Sequence, residues 1–173
     1  MKTHRRDFLK YISFGIPGLL LNPVSVFGQK KEKPPAYDPA LVKEFVVAGH
    51  KDLPKVKSML SEYPNLLNCA WDWGGGDFET AIGGAGHMGD VEIANFLIAQ
   101  GARVNVFVLT MLGKTELVKP ILDAYPNLIF AKGPHGYTLL HHAQKGGDTA
   151  ADLLQYLTAK GLTENSVPLY HHK

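Results

Sequence analysis

A nine-residue segment that occurs twice constrains the fold of this chain more than any other feature. Residues 59–67 read MLSEYPNLL, and residues 121–129 read ILDAYPNLI. A shorter pair shows the same relationship, because residues 99–102 (AQGA) resemble residues 159–162 (AKGL). Self-similarity at intervals of a few tens of residues is typical of stacked helical hairpins that share a continuous core. The sequence therefore predicts a helical repeat protein.

Local signals place two short helices in each repeat. Asp38 is a favourable N-cap, and Pro39 is favourable in the first turn of the helix that follows. A second helix is predicted to begin near Asp52 and to end before Pro64, with apolar residues three or four positions apart. In the next repeat, Gly101 is the predicted C-terminal cap of the second helix.

Two segments resemble ankyrin repeats. Residues 136–143 read GYTLLHHA, which is similar to the motif G-x-T-P-L-H-x-A with leucine in place of proline. Residues 89–102 read GDVEIANFLIAQGA, which is similar to the second half of the motif. The resemblance covers residues 38–162 and implies an all-α ankyrin-repeat solenoid of about four helix-turn-helix units.

The third unit is predicted to be shortened. Gly113 follows Gly89 at the equivalent turn after only 24 positions, whereas an ankyrin repeat spans about 33 residues. Its first helix follows Val104 and Asn105 directly. This leaves no room for the β-hairpin finger that usually precedes such a helix.

Three glycines are unusual in a predicted helix of the second unit. Gly83, Gly84 and Gly86 each cost roughly 0.5–1 kcal/mol relative to alanine in a helix interior. We expect either that a neighbouring element packs very closely there or that the helix is irregular.

The first 28 residues are similar to a bacterial twin-arginine signal peptide. A basic start precedes an apolar stretch at residues 11–21, which is too short to span a bilayer. Cleavage is expected near Gly28. The motif residues are Arg5, Arg6, Phe8, Leu9 and Lys10.

This leader implies export in the folded state. The mature protein is then expected in the periplasm or outside the cell, without a stable membrane span. A linker at residues 29–37 is predicted to precede the repeats, and a C-terminal tail at residues 163–173 to follow them.

The charge balance argues against a nucleic-acid partner. The chain has 18 basic and 16 acidic side chains, of which four and one lie in the leader, so the remainder carries 14 and 15. No basic excess is left to neutralise phosphates. The single cysteine, Cys69, excludes an intrachain disulfide.

The ankyrin resemblance implies a partner-binding surface on the fingers and on the concave side of the first helices. The expected partner is an unidentified protein or peptide, such as another envelope protein. Carried over position by position, the contact residues are His50, Asp77, Glu79, His87, Met88, Met111, His135, Tyr137 and Lys145.

A glycine-rich finger, WDWGGGDF at residues 71–78, adds Trp71 and Trp73 to the predicted contact residues. The two rings form either an aromatic contact patch or a lid over the core of the first unit. The segment lacks the Gly-Lys-Ser/Thr ending of a phosphate-binding loop.

No catalytic arrangement of nucleophile, base or paired carboxylates is recognisable, so the chain is predicted not to be an enzyme and to need no cofactor. His141 and His142 point about 100° apart on a helix, and no metal site is expected from them. The predicted function is a non-catalytic protein–protein interaction module. The alternative is a small-molecule or metal-binding accessory protein that uses histidine and tryptophan side chains at the groove.

Overall fold

The computed structural model describes residues 33–169. The twin-arginine motif, the predicted cleavage site and the C-terminal His171 and His172 lie outside the described residues. Residues from Ala36 onward belong to one compact unit. Eight α-helices account for most of the described residues: α1 (Pro39–Ala48), α2 (Leu53–Glu62), α3 (Ala81–Met88), α4 (Val91–Ala99), α5 (Val106–Met111), α6 (Thr115–Ala124), α7 (Leu139–Gly146) and α8 (Ala151–Ala159).

Short 3₁₀ segments and one small hairpin complete the described fold. The 3₁₀ segments are Pro64–Asn68, Pro126–Phe130, Pro134–Gly136 and Gly147–Ala150. The hairpin pairs β1 (Ala70–Asp72) antiparallel with β2 (Phe78–Thr80), and Trp71 stands opposite Glu79. The predicted helical fold class is thus confirmed. Within residues 33–169, none of the helices has the length and apolar character needed to cross a membrane.

The predicted helix starts are confirmed by their capping bonds. The Asp38 carboxylate accepts a hydrogen bond from the backbone N–H of Ala40 at 2.7 Å. Asp52 accepts one from Lys55 at 3.0 Å. Both bonds satisfy amide groups that have no partner inside the helix.

The duplicated segments adopt the same backbone conformation twice. Tyr63 ends α2 with φ −128° and ψ 74°, and Tyr125 ends α6 with φ −131° and ψ 73°. Each is followed by a five-residue 3₁₀ segment. Gly101 and Gly161, after α4 and α8, have φ of 89° and 90°. The sequence repeat is therefore a repeat of local structure.

The first helices of successive helix pairs contact one another. Helices α1, α3, α5 and α7 pack side by side in this order, and α2, α4, α6 and α8 each contact the helix that precedes them. One cluster of buried side chains extends from α1 to α5, and a second lies under α6 to α8. Phe45, Leu97, Leu139 and Leu153 are completely buried within these clusters.

The glycines of α3 allow close packing in a regular helix. A Cβ atom on Gly84 would lie 2.8 Å from Nδ1 of His50, and one on Gly86 would lie 3.1 Å from Cγ2 of Val108. Close packing, the first of the two alternatives, is thus correct. Gly84 in particular makes room for the imidazole ring of His50.

Part of the predicted C-terminal tail pairs with the loop before α7. Ser166 forms a β-bridge with Tyr137, and the N–H of Val167 donates to the carbonyl of Gly136 at 2.9 Å. This pairing holds the segment that carries His135 from one side.

Candidate metal centre

The β1–β2 hairpin and the loop before α7 meet because the connection between α4 and α5 is short. That connection contains no hairpin, so the two segments contact each other directly. Asp77 in the hairpin accepts a hydrogen bond from the backbone N–H of His135 at 2.9 Å. Beside this contact lies an open groove of about 310 Å³, lined by parts of the hairpin, the start of α5 and residues 132–134.

Four side chains with metal-ligand chemistry converge next to this contact. One ligand atom from each of His50, Glu79, His87 and His135 lies within 4.8 Å of all the others. The carboxylate of Glu79 lies 2.9 Å from Nε2 of His87, and 3.4 Å from Nε2 of both His50 and His135. The Nε2 atoms of His50 and His87 are 3.1 Å apart. We refer to these four residues as the His/Glu cluster.

His50 enters the His/Glu cluster from the turn after α1. Its Nδ1–H donates to the carbonyl oxygen of Val46 at 3.0 Å. Because a carbonyl oxygen can only accept, the proton of the neutral ring is on Nδ1 and the lone pair is on Nε2. The ring therefore presents Nε2 to the other cluster members.

His135 is held in an unusual backbone conformation. Its φ of 59° makes it the one non-glycine residue of the described chain in the left-handed region, which costs free energy and occurs at functional sites. Asp77 stabilises it twice, since Oδ1 accepts the backbone N–H and Oδ2 accepts Nδ1–H at 2.8 Å. This second bond leaves Nε2 of His135 directed at Glu79.

Glu79 lies on β2 and forms the floor of the cluster. Its Oε2 accepts a hydrogen bond from the indole N–H of Trp73 at 2.8 Å. Its Oε1 is close to His87, but the N–H of His87 is aligned with His50 instead. Among residues 33–169, Oε1 is the one buried side-chain polar atom that has no hydrogen-bond partner. A buried carboxylate oxygen without a donor is costly unless something else satisfies it.

His87 projects from α3, and stacked rings fix its orientation. Tyr137 stacks on His87 with ring centroids 5.1 Å apart, and His141 stacks on Tyr137 at 4.1 Å. Nε2–H of His141 also donates to the backbone carbonyl of His87 at 2.8 Å. His141 therefore supports His87 through a hydrogen bond and, through Tyr137, by ring stacking.

The electrostatics of the cluster favour a charged carboxylate. Burial alone would raise the pKa of Glu79, but the adjacent imidazoles of His50 and His87 outweigh it and lower the pKa to about 2. Glu79 in turn raises the pKa of His50 against the opposing effect of burial. The cluster therefore holds a fixed negative charge surrounded by imidazole nitrogens.

One side of the cluster faces solvent. The side chains of Glu79 and His87 are 0% and 7% exposed, whereas those of His50 and His135 are 20% and 30% exposed. The indole of Trp73 lies against both rim histidines, at 6.4 Å from His50 and 5.7 Å from His135 between ring centroids. A small ion can thus reach the buried donors from the rim.

The predicted contact residues fall into three groups. Met111 is completely buried in the core, and Asp77, Glu79 and His87 are also buried. His50, Trp71, Trp73, His135 and Tyr137 are half-buried around the His/Glu cluster. Met88 and Lys145 are exposed. The ammonium of Lys43 lies 5.4 Å from the ring of Trp71 and 5.9 Å from that of Trp73, so both rings face this lysine.

Sequence reasoning named all four cluster residues but did not join them into one site. It assigned them to a partner surface without a metal, and it kept a small-molecule or metal-binding accessory protein as the alternative. The short connection between α4 and α5 was the available signal, because it lets the β1–β2 hairpin contact the loop before α7. Comparison of the chain with family models, characterised proteins and solved structures finds no match.

Proposed function

We propose that this chain is a metal-ion-binding protein, built on an ankyrin-type helical scaffold and exported to the cell envelope. The observation that carries the proposal is the convergence of four ligand atoms from His50, Glu79, His87 and His135 within 4.8 Å. Burying charged and polar groups costs free energy unless each has a partner. A buried cluster of ionisable side chains is therefore a candidate functional site.

The donor set favours a first-row transition metal. Imidazole nitrogen suits zinc, copper, iron and nickel, whereas calcium takes six to eight oxygen ligands and magnesium prefers oxygen and water. Three imidazoles and one carboxylate would leave a net charge of +1 around a divalent ion. The buried charge of Glu79 thus offsets part of the charge of the ion.

Supporting groups around the donors strengthen this proposal. Val46 and Asp77 each accept the Nδ1–H of a cluster histidine, and Trp73 donates to Glu79. Hydrogen bonds of this kind fix tautomer and orientation in metal sites. Ion pairs between Glu79 and the histidines would form without these bonds to Nδ1 of His50 and His135. The bonds instead direct the Nε2 lone pair of each ring toward the centre of the cluster.

The scaffold and export parts of the proposal rest on different observations. The duplicated helix ends and the row of α1, α3, α5 and α7 support an ankyrin-type arrangement. The leader residues Arg5, Arg6, Phe8, Leu9 and Lys10 support export of the folded protein. In this role the chain would act as a non-catalytic accessory protein.

Titration calorimetry of the EDTA-treated protein with Zn²⁺, Cu²⁺ and Ni²⁺ tests this function. We expect one ion per chain, and we expect the double variant Glu79→Gln, His87→Gln to lose binding. The matched control is His171→Gln, His172→Gln, which removes two histidines that are not members of the cluster. Binding that survives the first double variant, or that disappears in the second, would overturn the assignment.

Partner binding is the second candidate function, and exposed apolar side chains near the cluster favour it. Phe78 and Met88 are 62% and 44% exposed. Trp71, which belongs with Met88 to the predicted contact residues, is half-buried. The variant Trp71→Ala, Met88→Ala should abolish capture of an envelope partner while metal binding persists. Unchanged capture would contradict this surface.

A further inference from the structure

We infer that the ion is Zn²⁺, bound in a closed four-coordinate site that cross-links distant segments of the chain instead of reacting with a substrate. This inference rests on the proposed metal-binding function and specifies the ion, its geometry and its role. Three observations support it: the distances between the donor atoms, the number of protein ligands, and the origin of those ligands in the fold.

The donor distances match a tetrahedron. With Zn–N bonds of about 2.0–2.1 Å, two ligands of a tetrahedral ion lie roughly 3.3 Å apart. The separations are 2.9 Å from Oε1 of Glu79 to His87, 3.4 Å from Oε2 of Glu79 to both His50 and His135, and 3.1 Å between His50 and His87. The site could therefore hold zinc once a single carboxylate oxygen of Glu79 serves as the fourth ligand.

The same distances disfavour a square-planar ion. Neighbouring donors of a square plane lie roughly 2.8 Å apart for bonds of about 2 Å. Oε2 of Glu79 lies 3.4 Å from Nε2 of His50 and of His135, and the Nε2 atoms of His50 and His87 are 3.1 Å apart. These separations exceed those of the planar or tetragonal arrangement that Cu²⁺ and Ni²⁺ prefer.

Four protein ligands leave no position for a substrate. Structural zinc sites have four protein ligands, whereas catalytic sites have three and keep the fourth position for water. Here the tautomers of His50 and His135 are set in advance by Val46 and Asp77. All four donors are thus available to one ion without rearrangement of their supporting bonds, except at His87, whose Nε2 proton must leave.

The ligands come from three separate parts of the chain. His50 follows α1, Glu79 and His87 lie on the adjoining β2 and α3, and His135 belongs to the loop before α7. Units of a repeat protein normally contact only their neighbours, but this ion would join the second unit to the fourth. It would also retain His135 in its left-handed conformation.

Cobalt substitution tests the closed geometry. The Co²⁺-loaded protein should show the intense visible absorption of tetrahedral cobalt, and added azide should leave the spectrum unchanged. His135→Gln is the informative variant, because loss of one ligand opens a position for azide. A weak octahedral spectrum, or an azide-sensitive spectrum in the unsubstituted protein, would overturn the inference.

Competition and hydrogen exchange test the identity and the role of the ion. Zn²⁺ should bind at least tenfold more tightly than Ni²⁺, and its removal with EDTA should speed exchange in residues 72–80 and 133–137 but not in α8. Preference for Ni²⁺, or exchange that is unaffected by EDTA, would refute the inference. Failure to bind any metal would refute the proposed function itself, so the two failures are distinguishable.

Discussion

Asp77 binds His135 through both oxygens of its carboxylate. Oδ1 accepts the backbone N–H at 2.9 Å, and Oδ2 accepts Nδ1–H of the ring at 2.8 Å. One side chain of the hairpin therefore sets both the backbone conformation and the tautomer of a residue in a distant loop. This relationship makes Asp77 a positioning residue for the His/Glu cluster.

Asp77→Asn should weaken zinc binding by about 10–100-fold, the usual effect of losing a carboxylate behind a metal-binding histidine. The amide can satisfy the backbone N–H or the ring, but not both as acceptors. Nitrogen-15 NMR of the metal-free protein should show that the His135 ring loses its Nδ1–H preference. Asp148→Asn, an exposed change in the turn before α8, is the control. An unchanged tautomer would contradict the role of Asp77.

Gly84→Ala should displace a ligand without disturbing its helix. The new Cβ would lie 2.8 Å from Nδ1 of His50, so the ring would have to leave its bond to Val46. Helicity should not fall, because alanine is the better helix former. Gly83→Ala is a matched control, since its nearest contact would be an ordinary 3.4 Å. Equal zinc affinity in the two variants would count against this prediction.

Trp73→Phe should weaken zinc binding roughly tenfold or more. The change removes the indole N–H that Oε2 of Glu79 accepts at 2.8 Å, and a hydrogen bond to a charged group contributes about 1.5–3 kcal/mol. Trp71→Phe removes a similar indole that faces Lys43 and should bind zinc normally. Competition titration with a chromophoric chelator measures both affinities, and a larger loss in Trp71→Phe would reverse the assignment.

Zinc should raise the melting temperature of the protein. An ion present at 100 times its Kd adds about 2.7 kcal/mol to the free energy of unfolding. With an unfolding entropy of about 2.1 cal/mol/K per residue, this corresponds to roughly 10 °C for a domain of this size. Differential scanning calorimetry with and without EDTA measures the shift. Glu79→Gln should abolish it, and a shift that persists in this variant would indicate that zinc binds elsewhere.

Acid should destabilise the protein through His142, which is not a cluster ligand. Burial lowers the pKa of His142 to about 4, although its hydrogen bond to the Thr138 carbonyl opposes the shift. The unfolded chain, with a histidine pKa near 6.5, then binds more protons below that pH. The free energy of unfolding should therefore fall as the pH drops from 6.5 to 4, by up to about 3 kcal/mol.

Urea unfolding of the metal-free protein at several pH values checks this dependence. His142→Leu should flatten the curve over the same range, whatever its effect on absolute stability. If the two curves run parallel between pH 6.5 and 4, another group is responsible.

Most of the helical fold was predictable from the sequence, because its signals act over a few residues. Asp38 and Asp52 cap their helices as predicted, and the segments ending at Tyr63 and Tyr125 repeat each other closely. The choice between close packing and an irregular helix at the glycines of α3 required the structure. Only the packed neighbours show that Gly84 accommodates the ring of His50.

The sequence by itself determined the helices, their caps, the short connection between α4 and α5 and the identity of every side chain in the candidate site. Only the tertiary structure decided that His50, Glu79, His87 and His135 meet. Capping and turn preferences depend on neighbours along the chain, so they can be derived from the sequence locally. The approach of His135 to Glu79 depends instead on the direct contact between the β1–β2 hairpin and the loop before α7. No spacing of histidines along the chain encodes that contact.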